Sequence, residues 1–323
     1  MKSAIVGLGV IGKVHLSILS KMGADIVAVC DIDTAKSACA PNVPFYVEYV
    51  QMLEKAKPDV VHICTPHYIH ADMIIEALKR DIHVLCEKPL CIKSEEIARI
   101  LTAERNSRAQ LGVCLQNRYT PQNLFLKDYL ADKEILGGNG SVVWKRDAAY
   151  YKSGVWRGKW STEGGGVLIN QALHTLELLQ WIVGFPAVVV ANISNHTLKN
   201  VIETEDTVSA VFDTGDKKFT FYATTGGDYD YPVELTLRTK DEIVKLVGKC
   251  VYIGNKVFDF STQKYFGKSC YGSGHEKLIA EYYACVKNGK KFAVDGAEAA
   301  KVASMIFATY KSNGEWTEIC LER

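Results

Sequence analysis

Among ten cysteines no two stand in a CxxC pair, which removes the usual sequence sign of a zinc site or a dithiol redox centre. Cys30, Cys64, Cys86 and Cys114 fall inside apolar runs, where a free thiol behaves as a small hydrophobe. Free thiols suit a reducing compartment. No stretch approaches the roughly 20 apolar residues that a membrane helix needs. The N-terminus passes straight into Ser3-Ala4-Ile5-Val6-Gly7, without a signal peptide's long apolar segment and cleavage site. A cytoplasmic protein is expected. Charge of one sign is lacking too: 38 basic against 37 acidic residues leave a net charge of +1. That balance gives no reason to expect nucleic acid or an anionic membrane surface as partner. The densest basic patch, residues 287–291, reads as a helix end and turn. Repeats and low-complexity segments are absent.

What is present is core material. A hydrophobic fraction of 48% over 323 residues fits a globular chain, and the length suggests two domains. The first part alternates short apolar runs (Ala4–Val6, Ile26–Cys30, Val60–Cys64, Val84–Cys86, Leu111–Leu115) with helical segments (Ile11–Met22, Glu48–Lys55, Ile69–Lys79, Ser94–Asn106). Strands alternating with helices imply a doubly wound parallel sheet covered on both faces. Ser94 before Glu95 and Glu96 reads as a helix cap. The texture changes after about residue 119. A long helix is expected over Val167–Val183, then strands at Ala187–Asn195, Thr207–Asp213, Lys218–Thr225, Val233–Arg238 and Glu242–Val247, then two helices near Glu276–Lys287 and Ala297–Lys311. Successive strands joined by short turns indicate an antiparallel or mixed sheet. The expected domains are 1–118 and 119–323, an α/β fold whose first domain is a Rossmann sheet.

The loop Gly7-Leu8-Gly9-Val10-Ile11-Gly12 follows the first strand and opens the first helix. Gly7 permits a tight turn, Gly9 lets backbone approach a pyrophosphate, and Gly12 lets helix pack on strand. Phosphates then sit at the helix N-terminus, over Val10 and Ile11, where backbone N–H groups favour negative charge. GxGxxG alone is a weak signal; its strand–turn–helix context strengthens it. Asp31 ends the second strand about 20 residues on, where a carboxylate accepts hydrogen bonds from ribose hydroxyls and repels a 2′-phosphate. That favours NAD over NADP. The lesser alternative for Asp31 is a surface acid at a strand end, and Asp33 reads as an N-cap.

Two further signatures accompany the loop: Glu87-Lys88-Pro89 after the strand Val84–Cys86, and the run from Gly164-Gly165-Gly166 through Asn170 to His174. With Thr65-Pro66 and His70, Gln116-Asn117-Arg118-Tyr119, and Gly274-His275-Glu276, the chain resembles the Gfo/Idh/MocA oxidoreductases along nearly its whole length. The resemblance implies a Rossmann domain followed by an α+β domain with an open, mostly antiparallel sheet, and a substrate cleft above the nicotinamide. It implies Lys88 and His174 as catalytic groups. It also places Thr65, Pro66, His70, Glu87, Lys88 and Gln116 with Gly7, Gly9, Val10, Ile11, Gly12 and Asp31 around the cofactor.

The residue chemistry is compatible with those roles. Imidazole takes a proton near neutral pH, and an ammonium stabilises alkoxide character. Without the resemblance a lone helix histidine such as His174 is more often structural. His15 reads as structural or near the phosphates. No metal is expected. Many relatives carry Asp four residues before the histidine, where this chain has Asn170; an amide can orient a hydroxyl but cannot take a proton. Further substrate candidates are Arg118, Tyr119, Lys145, Arg157 and Trp160, from segments rich in aromatics and bases. An ordered loop packed on the domain explains each of them as well.

The expected function is NAD-dependent hydride transfer to or from a hydroxyl-bearing carbon of a sugar, cyclitol or sugar derivative. Two alternatives stand beside it: a redox-assisted glycoside-cleaving enzyme that recycles bound NAD, and a non-catalytic dinucleotide-binding regulator. The expected partner is a small polyhydroxylated molecule, and the resemblance implies a homodimer or homotetramer.

Overall fold

The computed structural model describes residues 1–261 and 274–321. Cys270 lies outside them; the other nine cysteines are free thiols. Contacts divide the chain into two compact units: residues 1–116 with 274–300, and residues 117–261 with 301–321.

The first unit is built on six parallel strands: β1 (Lys2–Val6), β2 (Asp25–Cys30), β3 (Phe45–Tyr46), β4 (Val60–Ile63), β5 (His83–Cys86) and β6 (Leu111–Val113). Their order is β3-β2-β1-β4-β5-β6. Helices α1 (Val10–Lys21), α2 (Tyr49–Ala56), α3 (His70–Leu78) and α4 (Ser94–Arg105) connect them. The inner strands β1, β4 and β5 are almost wholly buried, as continuous apolar runs under helices on both faces must be. The strand order reverses between β1 and β4, and at such a switch point the loops leaving the two strands diverge into a crevice. Those loops carry Gly7–Gly12 and Thr65-Pro66. The α4 start differs in detail from expectation. Lys93 is the N-cap, and Glu96 Oε2 accepts the amides of Ile92 and Lys93, both at 3.2 Å. A carboxylate reaching back from the first turn replaces the serine cap.

The expected contiguous second domain is interrupted, because α8 (Gly274–Lys287) belongs to the first unit. Its Tyr282 is fully buried and donates to the Val84 carbonyl at 2.8 Å. Gly112 on β6 makes room: a Cβ there would lie 2.7 Å from the Tyr282 ring. The following helix α9 (Gly296–Ser312) begins in the first unit and continues into the second.

The second unit holds α5 (Pro121–Tyr129), α6 (Ala148–Lys152), α7 (Leu173–Val183) and a nine-stranded sheet. Its strands are β7 (Ile135–Val143), β8 (Val188–Ser194), β9 (Thr207–Asp213), β10 (Lys218–Thr224), β11 (Glu234–Thr239), β12 (Ile243–Val247), β13 (Cys250–Ile253), β14 (Lys256–Asp259) and β15 (Thr317–Glu318). The order is β14-β13-β12-β11-β7-β10-β9-β8-β15, antiparallel except for β7 beside β10. Burial alternates along β10 and β11, the pattern of a sheet with one covered face. A Cβ on Gly140 of β7 would lie 2.7 Å from Leu179 of α7, so this glycine lets the helix seat on the sheet.

Candidate functional site

In the first unit the glycine loop is shaped by three different constraints. Gly7 has φ +85°, and a Cβ there would lie 2.5 Å from the Cys64 carbonyl oxygen. A Cβ on Gly12 would lie 1.9 Å from the Gly7 oxygen. Both are required by the protein's own packing. Gly9 differs: a Cβ there would meet nothing within 4 Å, so the protein's own packing does not require a glycine at the start of α1. The first-turn amides of a helix have no intrahelical acceptor, and α1 has no side-chain cap and no acidic residue in its first turn. Val10 is exposed there and Ile11 is half-buried. That set suits an anion.

Asp31 is buried, and its carboxylate accepts Leu8 N at 2.7 Å and Asp33 N at 2.9 Å, with Lys36 Nζ 3.4 Å away. It is tied to the loop rather than lying loose on the surface. Asp33 accepts Ala35 N at 3.1 Å and is an N-cap as expected.

Across the switch point, His70 spans two loops. Its Nδ1 lies 2.8 Å from the Pro89 oxygen and its Nε2 3.0 Å from the Thr65 oxygen. Burial lowers its pKa, while the two carbonyls act in the opposite direction. The ring braces the Thr65-Pro66 loop against the Lys88-Pro89 turn, whose peptide is cis. Thr65 Oγ1 is directed to Met73 Sδ, Lys88 is half-buried, and Gln116 is buried with its carbonyl tight against Gly274.

Glu87 ends a buried chain of polar groups that the sequence did not reveal. Its Oε1 lies 3.0 Å from His15 Nε2 and 3.2 Å from His275 Nε2. His15 Nδ1 is 2.8 Å from His62 Nδ1, His62 Nε2 is 2.9 Å from the Tyr283 hydroxyl, and that hydroxyl is 2.8 Å from Ser3 Oγ. Burial pushes the Glu87 carboxyl up, but hydrogen bonds from the two histidines outweigh it and hold the group well below its ordinary value. Burial keeps His15 and His62 low as well. An ionised Glu87 only accepts, which fixes every hydrogen in the chain. His15 donates from Nε2 to Glu87 and accepts at Nδ1 from His62; His62 accepts at Nε2 from Tyr283, which accepts from Ser3. His15, Glu87 and His275 also bring possible metal-ligand atoms within 4.8 Å of one another, through the same atoms that these hydrogen bonds join.

In the second unit the expected long helix begins differently. Residues Leu168–Ala172 form a π turn, and α7 follows. π turns inside helices recur at functional sites because they aim an extra side chain outward. The start is held by buried Glu205, which accepts Gly166 N at 2.8 Å, Leu168 N at 3.0 Å and the Tyr310 hydroxyl at 3.0 Å. Two of the three glycines are demanded by crowding: a Cβ on Gly165 would lie 2.0 Å from Tyr310 Oη and one on Gly166 1.9 Å from the Glu205 backbone oxygen.

Asn170 and His174 are half-buried on this segment. Asn170 Nδ2 donates to buried Glu163 and lies 3.4 Å from Tyr150 Oη, which also receives Gln171 Nε2 at 3.0 Å and Arg157 Nη1 at 2.7 Å. Arg157 lies against the Tyr150 and Trp156 rings at 4.5 and 4.4 Å. Glu163, Tyr150 and Gln171 thus join Asn170 and Arg157, and only Tyr150's place in an aromatic, basic segment hinted at it. Arg118 is buried in an ion pair with Glu177, its Nε 2.6 Å from Oε1, and stacks over Trp181. Tyr119 is buried, Lys145 is exposed at the end of β7, and Trp160 bonds Glu203 through its backbone and ring nitrogens.

Known proteins resemble this chain in sequence and fold. D-glucoside 3-dehydrogenase of Escherichia coli is 28% identical over 211 residues, 62% of this chain and 58% of that protein. Inositol 2-dehydrogenase of Arthrobacter is 32% identical over 144 residues, 42% of each. The matched stretches span about half the length of these relatives. The WlbA dehydrogenase of Chromobactrium violaceum, solved with NADH and UDP-GlcNAcA, superposes with a TM-score of 0.88 at 25% identity, covering 100% of this chain and 97% of that one. Residues 1–115 match the model of an oxidoreductase family with an NAD-binding Rossmann fold, and residues 134–243 match the C-terminal domain of the same family. With both domains matched and the strand order in agreement, the chain belongs to the GFO/IDH/MocA oxidoreductase family.

Proposed function

We propose that this protein is an NAD-dependent dehydrogenase acting on a hydroxyl-bearing carbon of a sugar, cyclitol or sugar derivative. The observation that carries it is the pairing of an open Gly9 with an Asp31 locked to the same loop. The loop amides at the start of α1 would hold the pyrophosphate, and the carboxylate's remaining lone pairs the ribose hydroxyls. NAD, when bound, supplies the hydride acceptor or donor. The names of the relatives, a glucoside and an inositol dehydrogenase, support a polyhydroxylated substrate.

Lys88 leaves a strand end beside the switch point, where its ammonium would hydrogen-bond the reacting oxygen and stabilise alkoxide character. His174 would take the hydroxyl proton in oxidation and return it in reduction. Asn170 and Arg157 would orient neighbouring hydroxyls. Among the described residues no helix is long and apolar enough to cross a membrane. Cytoplasmic placement and a homo-oligomer remain part of the proposal.

The test is a panel of sugars and cyclitols assayed by nicotinamide absorbance, with NAD and NADP in parallel. Turnover with NAD, lost by about 100-fold or more in Lys88→Ala and in His174→Ala with NADH affinity retained, supports the reading. Full activity in Lys88→Ala overturns it. A glucoside cleaved without net NADH formation would assign the glycoside-cleaving alternative.

A further inference from the structure

The contact between Asn170 and Glu163 has a fixed polarity. Glu163 is buried; its Oε2 accepts the amide hydrogen of Gly158, and Arg157 Nη1 lies 3.7 Å from Oε1. A carboxylate among those donors only accepts, so the Asn170 atom facing Oε1 is Nδ2. The other hydrogen of that amide points towards Tyr150 Oη. With both hydrogens directed at Glu163 and Tyr150, Asn170 meets any further group through Oδ1, as an acceptor.

We propose that Glu163 is a positioning residue that makes Asn170 a fixed acceptor for a substrate hydroxyl. This rests on Asn170 being a substrate contact, as in the dehydrogenase reading above. The negative charge sits behind the amide instead of on the substrate side, and an uncharged oxygen faces the hydroxyl. The arrangement also explains why an amide stands at this position. A carboxylate at 170 would lie within hydrogen-bond distance of Glu163, and two such groups in a buried site cannot both ionise.

Three variants test this: Asn170→Asp, Glu163→Gln, and the two combined. In N170D one proton is held between the carboxyls, and the infrared difference spectrum at neutral pH shows a protonated-carboxyl band. With the wild-type spectrum subtracted, which cancels the contribution of Glu205, raised to about 7, E163Q/N170D lacks that band. In the double variant the roles exchange: the amide now at position 163 accepts Gly158 N through its oxygen, and its nitrogen donates to the carboxylate now at position 170.

With myo-inositol and methyl glucoside as probes and NAD as oxidant, kcat/KM of N170D falls by about tenfold or more. The loss grows as pH rises and the shared proton leaves. The double variant returns to within about threefold of wild type. In E163Q alone the amide of Asn170 must turn over, so KM rises with kcat little changed.

A missing band in N170D, or a double variant no better than N170D, overturns the proposal. Should N170D fail to fold, an unchanged KM in E163Q overturns it instead. If the wild-type protein oxidises no member of the panel, the dehydrogenase reading fails. The infrared comparison still decides the Glu163–Asn170 pairing.

Discussion

The carboxylate of Asp31 accepts the amide hydrogen of Leu8 at 2.7 Å, so the acid that follows β2 and the middle of the glycine loop are held as one unit. In the proposed function, cofactor choice and loop shape depend on the same side chain, and two substitutions separate them. Asp31→Asn keeps an acceptor for Leu8 but removes the charge and, with it, the acceptor for the part-buried Asp33 amide. We expect its melting temperature to stay within a few degrees of wild type while discrimination against NADPH falls. Asp31→Ala removes the acceptor as well and leaves a buried amide unsatisfied, at a cost of about 1–3 kcal/mol. Thermal unfolding alongside NADH and NADPH titrations distinguishes the two; an Asn variant that keeps full discrimination refutes the charge argument.

The glycines of the loop make a second test. Gly9→Ala places its methyl in open space, so the apoprotein should melt as wild type does. With the pyrophosphate held by the loop as proposed, the methyl would obstruct it and NADH affinity should fall by about tenfold or more. Gly12→Ala drives a methyl against the Gly7 carbonyl. It should destabilise the fold by about 1–3 kcal/mol before any ligand is added. Equal melting temperatures for the two variants would contradict the assignment.

Arg118 and Glu177 are both buried, and each compensates the other's charge. Glu177→Ala should cost about 3–5 kcal/mol, because it leaves the guanidinium buried without its carboxylate. Arg118→Met with Glu177→Leu removes both charges and should recover most of that loss. Urea unfolding of the single and double variants measures the difference. A double variant less stable than E177A would mean that the pair contributes through shape rather than charge.

Burial raises the Glu205 carboxyl from 4.5 to about 7, against the lowering effect of the Leu168 and Gly166 amides and the Tyr310 hydroxyl. A carboxyl raised on folding favours the folded state below its unfolded pKa. That contribution is lost as pH rises through the folded value. Between pH 4.5 and about 7 the loss amounts to about 3 kcal/mol. Glu205→Gln cannot titrate, so the stability advantage of wild type over this variant should narrow across that range. A gap that stays constant with pH removes Glu205 from the titration.

Much of the first unit was legible because its signals are local. One strand, one turn and one helix carry Gly7, Gly9 and Gly12, and the apolar runs of β1, β4 and β5 announce strands buried on both faces. β7 was not legible. Its glycines argue against a strand on propensity, yet a Cβ on Gly137 or Gly138 would strike the backbone of Lys218 or Thr236 on the neighbouring strands. Their smallness answers to residues distant in sequence. The π turn at Leu168–Ala172 was hidden for a related reason, since its start is held by Glu205 and Tyr310.

The sequence by itself determined the family, the doubly wound sheet of the first unit and the glycine loop that opens its first helix. Each depends on residues adjacent along the chain or on a periodic pattern. Tertiary structure decided which polar groups share a hydrogen. It joined Ser3, Tyr283, His62, His15 and Glu87 into one directed chain, and it set Glu163 behind Asn170. Hydrogen bonds operate over about 3 Å, a distance that no spacing in sequence encodes between residues brought together only by folding.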